Sequence, residues 1–78
     1  MKKLLSELAI GEAGKIAEVK GEGAIRRRLF DMGMTPGAEV RMRKKAPLGD
    51  PIEITLRGYE LTLRNSEANF VVMEGLYD

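Results

Sequence analysis

The residues best able to do chemistry in this chain are arginines, methionines and carboxylates. Arg26, Arg27 and Arg28 run together, and Arg41, Arg43, Lys44 and Lys45 follow on one short stretch. Guanidinium groups recognise carboxylates and phosphates through forked pairs of hydrogen bonds. Met32, Met34 and Met42 could offer thioether sulfur to a soft metal, but at these spacings methionine fills gaps in a core. Asp50, Glu53, Glu60 and Glu67 fall on turns and outward strand faces, where charge is ordinarily solvated. The chain holds no histidine and no cysteine. That removes imidazole and thiolate ligands, disulfides and the commonest general base. With Ser6 and Ser66 as the serines and no histidine, a Ser-His-acid triad cannot be built. Gly21-Glu22-Gly23 lacks the rest of a dinucleotide fingerprint, and no phosphate loop ending in Lys-Ser or Lys-Thr occurs. The expectation is a protein that is not an enzyme and holds no metal and no cofactor.

The elements that position these groups are short, because nine glycines and three prolines divide 78 residues. Leu4 to Leu8 can make a helical turn, and Gly11 through Gly14 reads as a loop. Lys15 to Lys20 is the first strand; Ile16 and Val19 fall on opposite faces under period two unless a bulge intervenes. Gly23 to Met32 is the one helix, with Ile25, Leu29 and Met32 forming its apolar face. Gly33 suits a left-handed C-cap, and Thr35-Pro36-Gly37-Ala38 a type II turn. A strand from Glu39 to Lys45 turns Val40 and Met42 inward. After the loop Pro47 to Pro51, Ile52, Ile54 and Leu56 alternate, and Leu61 and Leu63 resume beyond a type II′ turn over Arg57 to Glu60. Asn65-Ser66 caps one turn through Ala68, and Phe70 to Met73 closes the sheet. About five strands with one short helix after the first make a mainly β fold, a small SH3-like β-barrel.

A chain of this length forms one domain, residues 1–78, too small to enclose a substrate cavity of several hundred Å³. The net charge is +1, yet between Lys15 and Lys45 nine basic residues meet four acidic ones. That segment supports an alternative reading, a small nucleic-acid- or anion-binding barrel. Aromatics that would stack on bases are few, and of Phe30, Tyr59, Phe70 and Tyr77 only Phe30 lies within the basic segment, so nucleic acid is not expected. The apolar stretch after Met1-Lys2-Lys3 stops at Ser6-Glu7, so neither a signal peptide nor a membrane span is expected, and the location is cytoplasmic.

Four stretches together resemble the FeoA family of bacterial ferrous iron transport. They are Gly11…Gly14-Lys15-Ile16, the run Arg27-Arg28-Leu29-Phe30-Asp31-Met32-Gly33-Met34-Thr35-Pro36-Gly37, then Ala46-Pro47-Leu48-Gly49-Asp50-Pro51, and Leu61-Thr62-Leu63-Arg64. The resemblance implies an SH3-like barrel acting by contact with FeoB, a membrane transporter with a cytoplasmic G-protein domain that would recruit it to the inner face of the membrane. The module is also similar to the C-terminal domain of iron-dependent repressors of the diphtheria-toxin-repressor type. Their N-terminal helix-turn-helix is not expected in so short a chain.

The contact surface expected from the residues is a mixed one. Met34 and Leu48 stand near turns, where a large apolar side chain marks a contact, with Arg26, Arg27 and Arg43 at the rim. The competing reading is that Met34 and Leu48 each fold back to plug an end of the barrel, and that one of the helix arginines lays its stem over the barrel to pair with a carboxylate. Exposed barrel edges also make a homo-oligomer an expectation.

Overall fold

The computed structural model describes residues 2–78. Six strands form one antiparallel sheet: β1 Lys3–Leu4, β2 Ala13–Val19, β3 Glu39–Lys45, β4 Ile52–Leu56, β5 Tyr59–Leu63 and β6 Val71–Tyr77, in the spatial order β1-β6-β2-β3-β4-β5. Helix α1, Gly23–Asp31, connects β2 to β3, and the single turn α2, Asn65–Ala68, connects β5 to β6. The architecture is mainly β, with six strands where about five were expected. The additional one is β1, whose two residues are too few to show a period; α1 accordingly follows the second strand. The opening turn is present as a 3-10 turn at Leu5–Glu7.

Apolar alternation places the core where it was expected. Val40, Met42, Ile52, Ile54, Leu63, Val71 and Met73 are buried together with Leu5, Leu8 and Leu29. Ile16 and Val19 are both buried as well, because the pairing of β2 with β6 shifts register between Ile16 and Glu18. An extra residue there returns Val19 to the inner face and bends the strand. A second shift in β3, between Met42 and Lys44, bends the sheet again. Gly14, expected in a loop, is a strand residue, and β6 runs on to Tyr77 opposite Ala13.

The β4–β5 turn differs from the expectation by one residue at each end. Leu56 pairs with Tyr59, and Arg57 and Gly58 both take positive φ, 51° and 83°, so the turn is type I′ rather than II′. This register sets Ile52 opposite Leu63 and Ile54 opposite Leu61, whereas the expected one would have set Ile52 opposite Asn65. The expected Thr35 to Ala38 turn is present, with the Ala38 N–H donating to Thr35 O at 3.0 Å and Gly37 at φ 91°.

Glutamates three residues ahead satisfy three backbone N–H groups where no hydroxyl caps them. Glu7 accepts from Leu4 and Glu12 from Ala9, each at 2.8 Å, and Glu67 from Arg64 at 3.0 Å. Glu12 also pairs with Lys3 at 3.0 Å. The Ala9 N–H and then Lys3 hold the Glu12 carboxyl below its ordinary value of 4.5. A group whose folded-state pKa is depressed stabilises the fold above its unfolded value and loses that contribution as pH falls through the folded one. Glu12→Gln is therefore expected to flatten the acid limb of the melting-temperature profile below pH 4.5. Superimposable profiles for the two proteins would show that the clasp contributes nothing.

Candidate functional site

Helix α1 begins without a side-chain cap, its N-cap Glu22 being extended, and is held mainly from its other end. There the Gly33 N–H donates to Phe30 O at 2.9 Å and the Met34 N–H to Leu29 O at 3.0 Å, with Gly33 at φ 93°. These two bonds make a Schellman motif, in which the second residue past the cap packs its side chain back against the helix. Met34 is that residue. It is fully buried, as is Leu29, and both belong to the core. The Met34 side chain packs inside the protein and is not exposed for contact.

The three consecutive arginines fan apart as their 100° steps require. Arg26 turns back toward β2, donating from Nε to Val19 O at 3.3 Å and stacking over Phe30 at 4.4 Å from the ring centre. Arg28 reaches α2, its Nε 3.4 Å from Glu67 Oε2. Arg27 is exposed and has no ion pair among the described residues. Of the arrangement expected of one arginine, Arg28 makes the carboxylate pairing, while its side chain stays 69% exposed. Its partner Glu67, expected to be solvated, is only 8% exposed, because it also closes the α2 turn through Arg64. The spacing Arg64-x-x-Glu67 is the local signal that marks it.

The loop carrying Leu48 is fastened at its base. Asn65 donates from its backbone N–H to Asp50 Oδ1 at 2.9 Å and from Nδ2 to Gly49 O at 2.7 Å, and the Gly49 N–H donates to Ala46 O at 2.7 Å. Leu48 stands at the tip, 97% exposed, so it plugs nothing. Between this loop, α1 and α2 lies an open groove of about 460 Å³, with Ile25, Leu63 and Pro51 as apolar lining and Arg28, Arg64 and Glu67 as polar lining. Arg26 and Arg27 border the outer side of α1 with Phe30. Arg43 is elsewhere, on the β3–β4 face, 3.8 Å from Glu60. The structure therefore does not gather the expected residues into one patch; Arg28, Arg64 and Pro51, which line the groove, were not among the residues expected at the contact surface. Among the described residues no three carboxylates cluster as a metal site, and no helix is long and apolar enough to cross a membrane.

Residues 3–74 match the family model described as the FeoA domain. The chain belongs to the FeoA family. The solution structure of a FeoA-like protein from Clostridium acetobutylicum is 41% identical, covers 94% of this chain and 85% of that one, and superimposes with a TM-score of 0.87. FeoA of Stenotrophomonas maltophilia, complexed with zinc and described as an SH3 domain protein, is 33% identical over 96% of this chain and 95% of that one, with a TM-score of 0.85. The SH3-like class read from the strand pattern is thereby shown. A manganese-dependent transcriptional repressor shares the fold at 15% identity and a TM-score of 0.86, matching 36% of its length. A fusion of Fe(2+) transport protein A with the transporter FeoB, from Porphyromonas gingivalis, is 34% identical over 70 residues. The FeoA-family chain covers 90% of itself in that match but spans only 8% of the relative's length.

Proposed function

We propose that this FeoA-family protein is a cytoplasmic accessory of bacterial ferrous iron uptake that acts by docking on a FeoB-type transporter. The observation that carries the reading is the Porphyromonas gingivalis fusion, in which a 34% identical module and FeoB are parts of one polypeptide. The Stenotrophomonas maltophilia relative, described as a candidate activating factor of ferrous iron transport, supports the same role. The chemistry agrees: no histidine or cysteine is available for holding iron, and the fold presents fixed surfaces instead.

The docking surface in this reading runs from the exposed Arg27 on α1 across the groove to Leu48 on the loop tip. An exposed leucine anchored by a pinned loop is suited to a partner's apolar pocket, and the arginines to its rim. Co-purification with a tagged FeoB-type transporter tests the reading directly, and failure to associate would overturn it. Substituting Arg27 and Leu48 together with alanine is expected to weaken that association about tenfold, a loss of about 1.4 kcal/mol, with the melting temperature unchanged because both side chains are exposed. Unaltered affinity in the double variant would move the surface elsewhere.

A further inference from the structure

A second groove, about 370 Å³, lies on the outward face of β3 and β4 and carries three arginines. Arg41 and Arg43 are two residues apart on β3 and so share a face. Thr55 stands opposite Arg41 on β4, and Arg57 closes the groove from the hairpin turn. Among the described residues Arg43 alone of the three has a carboxylate partner, and that pair is loose. Arg43 and Glu60 are 3.8 Å apart with both side chains well exposed, Arg57 donates to Thr35 Oγ1 at 3.1 Å, and Arg41 donates to Gly11 O while lying over Tyr77 at 5.6 Å. Glu39 is the one acidic residue of the lining.

Two details separate this cluster from an ordinary charged face. Among the described residues Arg57 is the one non-glycine residue with positive φ, at 51°, in a turn position that favours asparagine or glycine. The type I′ turn requires that φ, and it sets the Arg57 side chain on the groove. The Thr55 hydroxyl, beneath the arginines, is buried without a hydrogen-bond partner. Buried hydroxyls are ordinarily satisfied by protein or by ordered water, so this one is free to bond to water or to a molecule seated in the groove.

We infer that this groove is an oxyanion site that takes the phosphate group of a phosphate-bearing molecule. Three guanidinium groups line one groove and outnumber the two carboxylates beside them, Glu39 and Glu60, and their forked donors match the several oxygens of a phosphate. The site shares no lining residue with the groove beside α1, and it stands whether or not the transporter reading does.

The test is a titration of isotope-labelled protein with inorganic phosphate, followed on the arginine Nε–H signals and the Thr55 amide. Saturable shifts confined to Arg41, Arg43, Arg57 and Thr55 are expected. Two further arms use a nucleoside diphosphate and phosphatidylglycerol vesicles. Tighter binding of the nucleotide marks a soluble phosphate compound as the source, and vesicle pelleting that inorganic phosphate reverses marks a lipid headgroup. Arg57→Gly is the decisive variant, since glycine accepts this φ: its melting temperature should not fall, while the phosphate dissociation constant rises about tenfold. Arg43→Gln should produce a similar rise. Absence of saturable shifts with both phosphate and nucleotide would overturn the site, as would equal shifts in Arg57→Gly or shifts spread evenly over Arg26 and Arg27.

Discussion

Replacing Met34 by alanine is expected to lower the free energy of unfolding by about 2–5 kcal/mol, the range for truncating a large buried side chain. Met34 is fully buried beside Leu29, and its backbone N–H closes the α1 C-terminus on Leu29 O at 3.0 Å. Alanine leaves that hydrogen bond in place and removes only the packing, so the loss reads the cavity alone. Met34→Leu conserves volume and should cost less than about 1.5 kcal/mol. Urea unfolding of the two variants measures both. The same pair separates stability from docking: if Met34 contacted a partner, the leucine variant would lose affinity while remaining stable, and by its burial it should not. A loss below about 1 kcal/mol in Met34→Ala would mean that the surrounding core collapses around the gap.

Local patterns made much of this fold legible. The bounds of β3, the apolar face of α1, the turn at Thr35 to Ala38 and the inward set Ile52, Ile54 and Leu56 each depend on residues within one turn or one strand of each other. Even the burial of Met34 was written locally, since glycine after Met32 followed by an apolar residue is the pattern of a Schellman motif whose last residue folds back on Leu29. What could not be read depends on pairing between distant parts. Shifting the β4–β5 turn by one residue at each end keeps every inward residue inward, so alternation alone cannot choose the register; the added Ile52 to Leu63 pair does. The pairing of Glu67 with Arg28 joins two elements 39 positions apart, although the Arg64-x-x-Glu67 spacing marks Glu67 itself locally. Leu48 and Arg27 are exposed as a contact surface needs, but only the fold shows that Arg43 belongs with Arg41 and Arg57 on another face.

Gly14→Ala is expected to cost about 1–3 kcal/mol, the range for overpacking a tight site, through steric overlap where β2 meets β6. A Cβ at this position would stand 2.7 Å from Glu74 O and 2.8 Å from Leu76 Cδ2. The leucine methyl can swing aside, but the carbonyl belongs to the β6 backbone and can move only if the strand does. The register of β2 against β6 already shifts between Ala13 and Lys15, so the ladder around Gly14 has little regular pairing with which to resist separation. Relief should therefore come from the end of β6 lifting away, leaving the stretch from Val71 to Met73 paired with β1 and with Ile16 to Val19. Hydrogen exchange reads this directly: amides from Glu74 to Tyr77 should lose protection while those of Val71 to Met73 keep it. Uniform loss along β6 would mean that the strand moves as a unit, and unchanged exchange that the two backbones are less closely pressed than 2.7 Å implies. A glycine that reads as loop punctuation in the sequence is on this account a point where the β6 backbone leaves no room for a Cβ, which is why a residue without a side chain stands there.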